Sequence, residues 1–343
     1  MDVFQYLNRK NVLKEMSDED FEDFLPEFVE GLLRVGFDNI IEVYNKGLKD
    51  ELQDWKDLQS KRIEMNNISS TSIVGLSSIK RNMKHIYEVK NYKGMSVKSL
   101  WKEDSLNRAV RVNRRSHNTP YISEIVRQLS FTSGSSKVTI YRPLLTKRIV
   151  EYFGAKNVLD VCVGWGGRML GSLCVEGNSY TGIEPCKKTY EGLIKIKEKL
   201  NLKNCEIING KAEDVELKEY YDLAITSPPY YNLEIYSEEE SQSHNYGSYE
   251  NWLSRFLKPT IEKVLERLKE KGISAWSVKN IKTDKKYNIY DDVVRIHKEN
   301  GWKKDEIEFF VGNPIRPGKN VDSNGNVNTG QEITYIFSRK NEE

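Results

Sequence analysis

Hydrophobic residues recur at two different spacings along the chain. In the first 60 residues they lie three or four positions apart, as on one face of a helix, with charged residues between them. Residues 17–20 match a capping box that would start a first helix, and Pro26 would start a second. A longer helix is predicted over residues 41–58. Residues 1–60 are therefore expected to form an acidic helical region.

From residue 137 onward, short apolar runs alternate with segments of helical spacing. The runs that predict strands are 157–163, 179–184, 205–209, 222–226, 272–278, 306–311 and 332–338. A helix is predicted over 249–270. This alternation predicts an α/β, doubly wound, mostly parallel sheet covered on both faces, with an antiparallel hairpin at its end. We interpret 137–343 as one domain and 61–136, which begins with a polar loop over 61–76, as a basic linker or helical region.

The net charge of +2 hides an uneven distribution along the chain. Residues 15–60 contain 14 acidic and 4 basic residues, whereas 79–115 contain 11 basic and 3 acidic residues. The basic segment also holds Tyr87, Tyr92 and Trp101, and basic residues interleaved with aromatic ones suit a nucleic-acid backbone. A solvated helix face, or pairing with the acidic segment itself, would explain the same pattern.

Neither a membrane segment nor a metal site is indicated by the sequence. No apolar run approaches the roughly 18 residues that a membrane span needs, and the N-terminus lacks the apolar stretch of a signal peptide. The four cysteines show no paired metal-ligand spacing and lie in apolar segments. We therefore expect reduced structural thiols in a cytoplasmic protein.

A glycine-rich loop follows the first long strand of the predicted sheet. Gly164, Gly166 and Gly167 would let a ligand approach the backbone closely. Glu184 ends the next strand, 20 residues after Gly164, where a carboxylate can accept both hydroxyls of a ribose. NAD and S-adenosylmethionine both use this arrangement. The third glycine of the dinucleotide-binding pattern is absent, and the lack of a P-loop lysine argues against ATP.

The predicted strand over 222–226 ends in Ser227, Pro228, Pro229 and Tyr230. The prolines must end the strand, because proline has no N–H for the sheet, and they hold their carbonyls in fixed directions. These carbonyls, the serine hydroxyl and the tyrosine ring could accept hydrogen bonds from an amino group and stack on a flat ring. A nucleobase with an exocyclic amine has both features. A plain proline turn after a strand would also account for these residues.

The two motifs together, in this order and on these strands, resemble the S-adenosylmethionine-dependent DNA amino-methyltransferases, which methylate N4 of cytosine or N6 of adenine. The resemblance covers about residues 137–340 and implies a Rossmann-like, seven-stranded methyltransferase sheet with S-adenosylmethionine as cofactor. It also implies the catalytic residues Ser227, Pro228, Pro229 and Tyr230. The serine and the first proline carbonyl would hold the target amine, and the tyrosine would stack on the flipped base. A serine at this place favours cytosine N4 over adenine N6.

The same resemblance implies a set of cofactor contacts. Carried over to this chain, they are Asp160, Gly164, Gly166, Glu184, Asp214 and Ser227. Asp160 and the glycines would hold the methionine part of the cofactor, and Glu184 its ribose. The acid that contacts adenine usually follows a glycine directly. Lys211 stands there in this chain, so Asp214 or Glu213 must substitute.

Cys186 follows a proline, as does the nucleophile of enzymes that methylate cytosine at C5. Pro185 and Cys186 come after the second strand rather than the fourth. Because a reactive cysteine needs a defined electropositive site, we interpret Cys186 as structural.

The loop over 164–168 and the segment 231–237 also resemble methylase-like proteins of phages and bacterial mobile elements. DNA would be contacted by the basic segment 79–115 or by a loop over 312–330 that is rich in Asn, Gly and Pro. Two alternatives stay open. One keeps the chemistry but acts on RNA or on a protein glutamine amide, and the other is a regulatory phage protein that binds cofactor or DNA without catalysis.

Overall fold

The computed structural model describes residues 1–64, 69–117, 119–132, 138–311 and 332–340. The helices are α1 (Asp18–Val35), α2 (Phe37–Lys46), α3 (Glu51–Ser60), α4 (Ser77–Asn82), α5 (Glu103–His117), α6 (Ile122–Thr132), α7 (Pro143–Phe153), α8 (Gly167–Leu173), α9 (Lys187–Lys199), α10 (Tyr249–Trp252), α11 (Lys258–Glu266) and α12 (Ile289–Glu299). None of these described helices is both long enough and apolar enough to cross a membrane.

The strands are, in chain order, β1 (Ser69–Ser70), β2 (Lys90–Asn91), β3 (Asn157–Asp160), β4 (Ser179–Glu184), β5 (Cys205–Asn209), β6 (Tyr221–Thr226), β7 (Glu234–Ile235), β8 (Leu268–Val278), β9 (Ile281–Lys282), β10 (Lys286–Tyr287), β11 (Trp302–Val311) and β12 (Glu332–Arg339). The chain divides into two compact units. The helical unit comprises Met1–Leu48, Lys84–Thr139 and Glu234–Tyr236, and the sheet unit comprises Lys49–Met83, Ile140–Leu233 and Ser237–Glu343. These units are not consecutive in sequence, unlike the predicted regions 1–60, 61–136 and 137–343.

The helical unit is built around the apolar faces of α1, α2, α5 and α6. Ser17 caps α1 as predicted, but Pro26 lies inside that helix and does not start a second one. A proline inside a helix costs about 3 kcal/mol, and each phenylalanine that α1 buries contributes about 1.5–3 kcal/mol. Phe21, Phe24 and Phe28 are all buried, and they more than offset the proline.

The predicted helix over 41–58 is two helices. The backbone leaves α2 after Lys46, and Asp50 then caps α3 by accepting hydrogen bonds from the backbone N–H groups of Leu52 and Gln53, both at 3.0 Å. Local capping therefore interrupts an apolar spacing that would fit a single helix.

Eight strands of the described chain form one sheet in the order β1-β11-β12-β8-β6-β3-β4-β5. All neighbours are parallel except β12, which is antiparallel to both β11 and β8. The predicted doubly wound, mostly parallel sheet is confirmed. The extra strand β1 lies in the segment 61–76 that was predicted as a loop, and pairs with the end of β11.

The predicted helix over 249–270 ends earlier, at Glu266, after a π-helical turn over Leu253–Leu257. Leu268 is already in β8, where it pairs with Tyr221 and is buried.

Candidate functional site

Three sequence motifs meet at one edge of the sheet. The glycine-rich loop follows β3, Glu184 ends β4, and the segment 227–230 follows β6. Because β3 pairs in parallel with both β4 and β6, the carboxyl ends of these strands lie side by side. Doubly wound sheets bind their ligands at this edge.

Asp160 at the end of β3 is fully buried and is held by protein donors. Its Oδ2 accepts from Arg168 Nε at 2.8 Å and from the Tyr180 hydroxyl at 2.9 Å, and its Oδ1 accepts from the Thr226 hydroxyl at 2.9 Å. Burial alone would lower the pKa of Arg168, but the charge and hydrogen bonds of Asp160 raise it. Asp160 thus ties together β3, β4, β6 and the start of α8.

The loop after β3 needs glycine at several places, among them Gly166 with its left-handed φ of 89°. Gly164 has a left-handed φ of 57°, and a Cβ built on it meets no atom within 4 Å, so its outer side is open. Gly167 lies against the backbone, where a Cβ would stand 2.0 Å from the carbonyl oxygen of Tyr141. The N–H of Gly164 donates to Glu184 Oε2 at 2.9 Å, which joins the loop to the end of β4.

Glu184 is a buried carboxyl group, 6% exposed. Its second oxygen accepts from the N–H of Cys186 at 2.9 Å. Burial raises the pKa of Glu184 to about 8, and the two backbone donors oppose that shift. A group with this pKa takes up or releases a proton near neutral pH.

The two acids considered for adenine differ in their surroundings. Glu213 accepts a hydrogen bond from the Tyr246 hydroxyl, whereas Asp214 is exposed. Lys263 of α11 holds the loop that carries both, because its ammonium donates to the carbonyls of Ala212, Glu213 and Val215 at 3.0, 2.6 and 2.8 Å. The sequence did not indicate this lysine.

The segment after β6 is anchored by its neighbours. Tyr230 is 7% exposed, and its hydroxyl donates to the carbonyl of Ser277 at 3.3 Å. Tyr231 has a positive φ of 49°, which is uncommon for a residue other than glycine and marks strain at this turn. Ser227 is half-buried, and its hydroxyl donates to Glu332 Oε1 at 3.3 Å. Glu332 is a site residue that sequence reasoning missed.

Residues 237–248 continue from this segment along the strand ends. Glu239 Oε2 accepts from the N–H of Lys187 at 3.2 Å, at the start of α9, and the Tyr246 hydroxyl reaches Glu213 after β5. This stretch therefore contacts the residues that follow both β4 and β5.

Four basic residues of 79–115 pair with acids of the helical unit. Arg111 binds Glu22, with one N–O distance of 2.6 Å, and Arg114 binds Asp18 at 2.9 Å. Lys84 pairs with Glu42, and Lys98 pairs with Asp38 at 2.9 Å and with Glu88 at 3.3 Å. Pairing with the acidic segment, one of the interpretations left open by the sequence, thus accounts for these four of the eleven basic residues.

A second basic cluster lies on the hairpin formed by β9 and β10, directly after β8. We call its exposed members Lys282, Lys285 and Lys286 the hairpin lysines. In the part of the chain that the structure describes, no carboxylate forms a salt bridge with them. The one acid of the hairpin, Asp284, accepts from Thr283 at 2.7 Å and from Tyr287 at 3.1 Å.

All four cysteines are free thiols, as expected. Burial raises the pKa of Cys174 and of Cys205 to about 12, which keeps both protonated at neutral pH. Cys186 is buried beside Glu184.

No protein-family model and no curated protein matches the chain. Solved structures that it resembles include TrmN from Thermus thermophilus, 10% identical over 58% of this chain and 49% of that chain, with a TM-score of 0.39. TehB from Haemophilus influenzae is 16% identical over 62% and 66% of the two chains, with a TM-score of 0.39. An S-adenosylmethionine-dependent methyltransferase from Clostridium acetobutylicum is 11% identical over 56% and 87%, with a TM-score of 0.36. The chain spans less than two thirds of the length of the first two.

The class of the fold follows from the sheet itself. Apart from the two-residue β1, the described strands of the large sheet follow the order β11-β12-β8-β6-β3-β4-β5, with β12 antiparallel. This is the Rossmann-like, doubly wound sheet that the resemblance implied.

Proposed function

We propose that the chain transfers a methyl group from S-adenosylmethionine to the exocyclic amino group of a base in DNA, with cytosine N4 as the first target and adenine N6 as the next. The observation that carries this proposal is the meeting of the glycine-rich loop, Glu184 and the segment 227–230 at neighbouring strand ends. One edge of the sheet would thus combine a carboxyl that binds the ribose of a nucleoside with acceptors for an amine.

The residues at this edge fit S-adenosylmethionine. The open side of Gly164 leaves room for a ligand, and the buried carboxyl of Glu184 would accept its ribose hydroxyls. Asp214 would face the adenine, because Glu213 is already bound to Tyr246. Asp160 would hold the glycine-rich loop in place, and this loop, with Gly166, would contact the methionine part of the cofactor. The bound cofactor would supply an electrophilic methyl group, and its sulfur would keep the electrons of the broken bond.

The segment after β6 would receive the target base. The Ser227 oxygen and the Pro228 carbonyl would accept hydrogen bonds from the amine and direct its lone pair. Pro229 would fix the turn, and Tyr230 would form the wall on which the extruded base packs. The duplex backbone would be contacted by the hairpin lysines, with the segment 79–115 and the loop over 312–330, which lies outside the described residues, as further candidates.

The test is methylation by the purified protein of unmodified DNA made by PCR and of RNA made by transcription, with labelled cofactor and mass spectrometry of the nucleosides. N4-methylcytosine or N6-methyladenine in DNA is the expected product. Methylation of RNA alone would show that the substrate is RNA and not DNA. Cofactor binding without any methyl transfer would favour a regulatory protein.

Variants separate the catalytic segment from general folding. Ser227→Ala should lose methyl transfer and keep cofactor binding, whereas Ser254→Ala, at an exposed serine of the π-helical turn, should keep both. Tyr230→Ala should weaken capture of the base by about 1–3 kcal/mol, the usual contribution of stacking. Tyr230→Phe should retain most activity. A fully active Tyr230→Ala variant would contradict the assignment.

A further inference from the structure

Two serine hydroxyls from different strands converge on one carboxylate oxygen at the edge of the site. The Ser277 hydroxyl donates to Glu332 Oε1 at 2.6 Å, and the Ser227 hydroxyl donates to the same atom at 3.3 Å. Ser277 is fully buried near the end of β8, and the half-buried Glu332 begins β12. The two strands are hydrogen-bonded neighbours, so the carboxylate stands beside the catalytic segment by virtue of the sheet.

This arrangement sets the direction of the Ser227 hydrogen bond. A serine hydroxyl has one proton to donate and two lone pairs with which to accept. Because Ser227 gives its proton to Glu332, only its lone pairs remain for a further partner. Ser277 holds the carboxylate in place with a shorter bond. The Ser227 oxygen is thereby left to accept a hydrogen bond, and an amino group has the N–H donor for it.

We infer that Glu332 positions Ser227 and is the final acceptor of the proton that the target amine loses. The inference rests on the proposed function. As the nitrogen forms its bond to the methyl carbon it becomes cationic, and it must then give up one proton. That proton passes to Ser227 Oγ while the Ser227 proton passes to Glu332. The resulting carboxylic acid returns its proton to the solvent, so the step needs no oxidant or reductant.

The first experiment measures methyl transfer to unmodified PCR-made duplex DNA with tritiated cofactor. Glu332→Gln keeps the shape and an acceptor for the serines but removes the charge and the proton acceptor. Its kcat should fall about 10- to 100-fold, the low end of general acid–base effects, with the KM for the cofactor unchanged. The matched control is Glu308→Gln on β11, whose half-buried carboxylate pairs with Lys304, and it should keep the wild-type kcat. Ser277→Ala should lower kcat less than Glu332→Gln.

A binding measurement tests Glu332 without turnover. In sinefungin a carbon replaces the sulfur of the cofactor and an amine replaces the methyl group, whereas S-adenosylhomocysteine carries neither the methyl group nor an amine there. Calorimetry gives the ratio of the affinity for sinefungin to the affinity for S-adenosylhomocysteine. This ratio should be about tenfold smaller for Glu332→Gln than for the wild type, as expected for the loss of one charge-assisted hydrogen bond. An unchanged preference, or an unchanged kcat, would overturn the inference. If the wild type methylates none of the nucleic acids, the proposed function fails, and the sinefungin comparison still decides on Glu332.

Discussion

Burial gives the carboxyl group of Glu184 an unusual protonation behaviour. Its pKa is raised to about 8 mainly by burial, against the effect of the N–H groups of Cys186 and Gly164. Ribose hydroxyls that donate to this carboxyl would favour its ionised form and lower its pKa. Binding of the cofactor should therefore release a proton.

The affinity of the wild type for S-adenosylmethionine should rise as the pH approaches 8 and level off above it, because the free carboxyl is then already ionised. Glu184→Gln should bind about 1–3 kcal/mol more weakly, since it leaves polar partners unmatched, and without this pH dependence. Glu206→Gln, at an exposed acid of β5, should behave as the wild type. Calorimetry in two buffers of different ionisation heat counts the released proton. Proton-independent binding by the wild type would contradict this role.

The position of a residue at the end of a strand could be predicted from the sequence where the residue directly adjoins the apolar run that forms the strand. Glu184 and Ser227 each directly end or follow an apolar run, and the carboxyl ends of parallel strands must share one edge. Glu332 was not predictable, because its contact with Ser227 spans 105 positions and depends on which strand is placed beside β8.

At the scale of elements, helix α11 positions a loop of the site. Lys263 lies on this helix and reaches three carbonyls of the loop after β5. Burial lowers the pKa of Lys263, and the nearby Asp214 and Glu213 act against that shift. The lysine therefore connects the packing of α11 to the place where the adenine of the cofactor would bind.

Lys263→Met should keep the packing of the alkyl chain and release the loop. We expect cofactor affinity to fall by about 1–3 kcal/mol, the scale of hydrogen bonds from a charged donor. The control is Lys258→Met on the same helix, where the exposed lysine faces Glu262 at 3.9 Å, and calorimetry should show wild-type binding. Equal affinities for the two variants would show that the loop does not need this support.

Helices and strands could be predicted where the spacing of apolar residues and the length of the segment indicate the same element. The predicted ends of elements were wrong where packing against distant residues determines them. The strands of the sheet are short apolar runs between helical segments, so their existence and order along the chain followed from the sequence. Pro26 was wrongly expected to start a helix, since its local preference is outweighed by the aromatic core of α1. Leu268 fits the apolar face of the preceding helix, but pairing with Tyr221 places it in β8.

At the scale of the whole molecule, one buried histidine makes stability depend on pH. His297 is fully buried, lies 3.0 Å from Ser274 Oγ and stacks on Phe337. Burial lowers its pKa from 6.5 to about 3. Between these values the unfolded chain binds a proton that the folded chain does not, so stability falls as the pH decreases. Glu184 acts in the opposite direction, because its contribution to stability is lost as the pH rises from 4.5 to about 8.

Below pH 6.5, His297 should lower the free energy of unfolding by up to about 1.4 kcal/mol per pH unit, and chemical denaturation should show this as a difference between the wild type and a variant without the histidine. His297→Phe should be less stable at neutral pH, because it leaves Ser274 without this partner, and should lose less stability on acidification. The difference between the two proteins at each pH cancels the effect of Glu184. A constant difference from pH 7 to pH 4 would show that His297 is not the acid-sensitive group.

The distribution of charge separates two candidate surfaces for nucleic acid. Arg111 and Arg114 of α5 bind acids of α1, and Arg114 also lies 4.3 Å from the centre of the Phe21 ring. The hairpin lysines are exposed and follow β8, the strand that pairs with β6, whose end carries Ser227. A cation already bound to a carboxylate gains less from a phosphate, because the existing pair must first be broken.

Reversing the hairpin lysines, as Lys282→Glu, Lys285→Glu and Lys286→Glu together, should weaken binding to duplex DNA and flatten its dependence on salt. Each lost phosphate contact should change the slope of log affinity against log salt by about 0.9. The matched double variant Arg111→Glu and Arg114→Glu should instead lower the melting temperature, because it places like charges beside Glu22 and Asp18, and it should leave the salt slope nearly unchanged. Fluorescence anisotropy with a labelled duplex at several salt concentrations gives both slopes. A flattened slope in the arginine variant, together with a normal slope in the lysine variant, would place the contact in the segment 79–115.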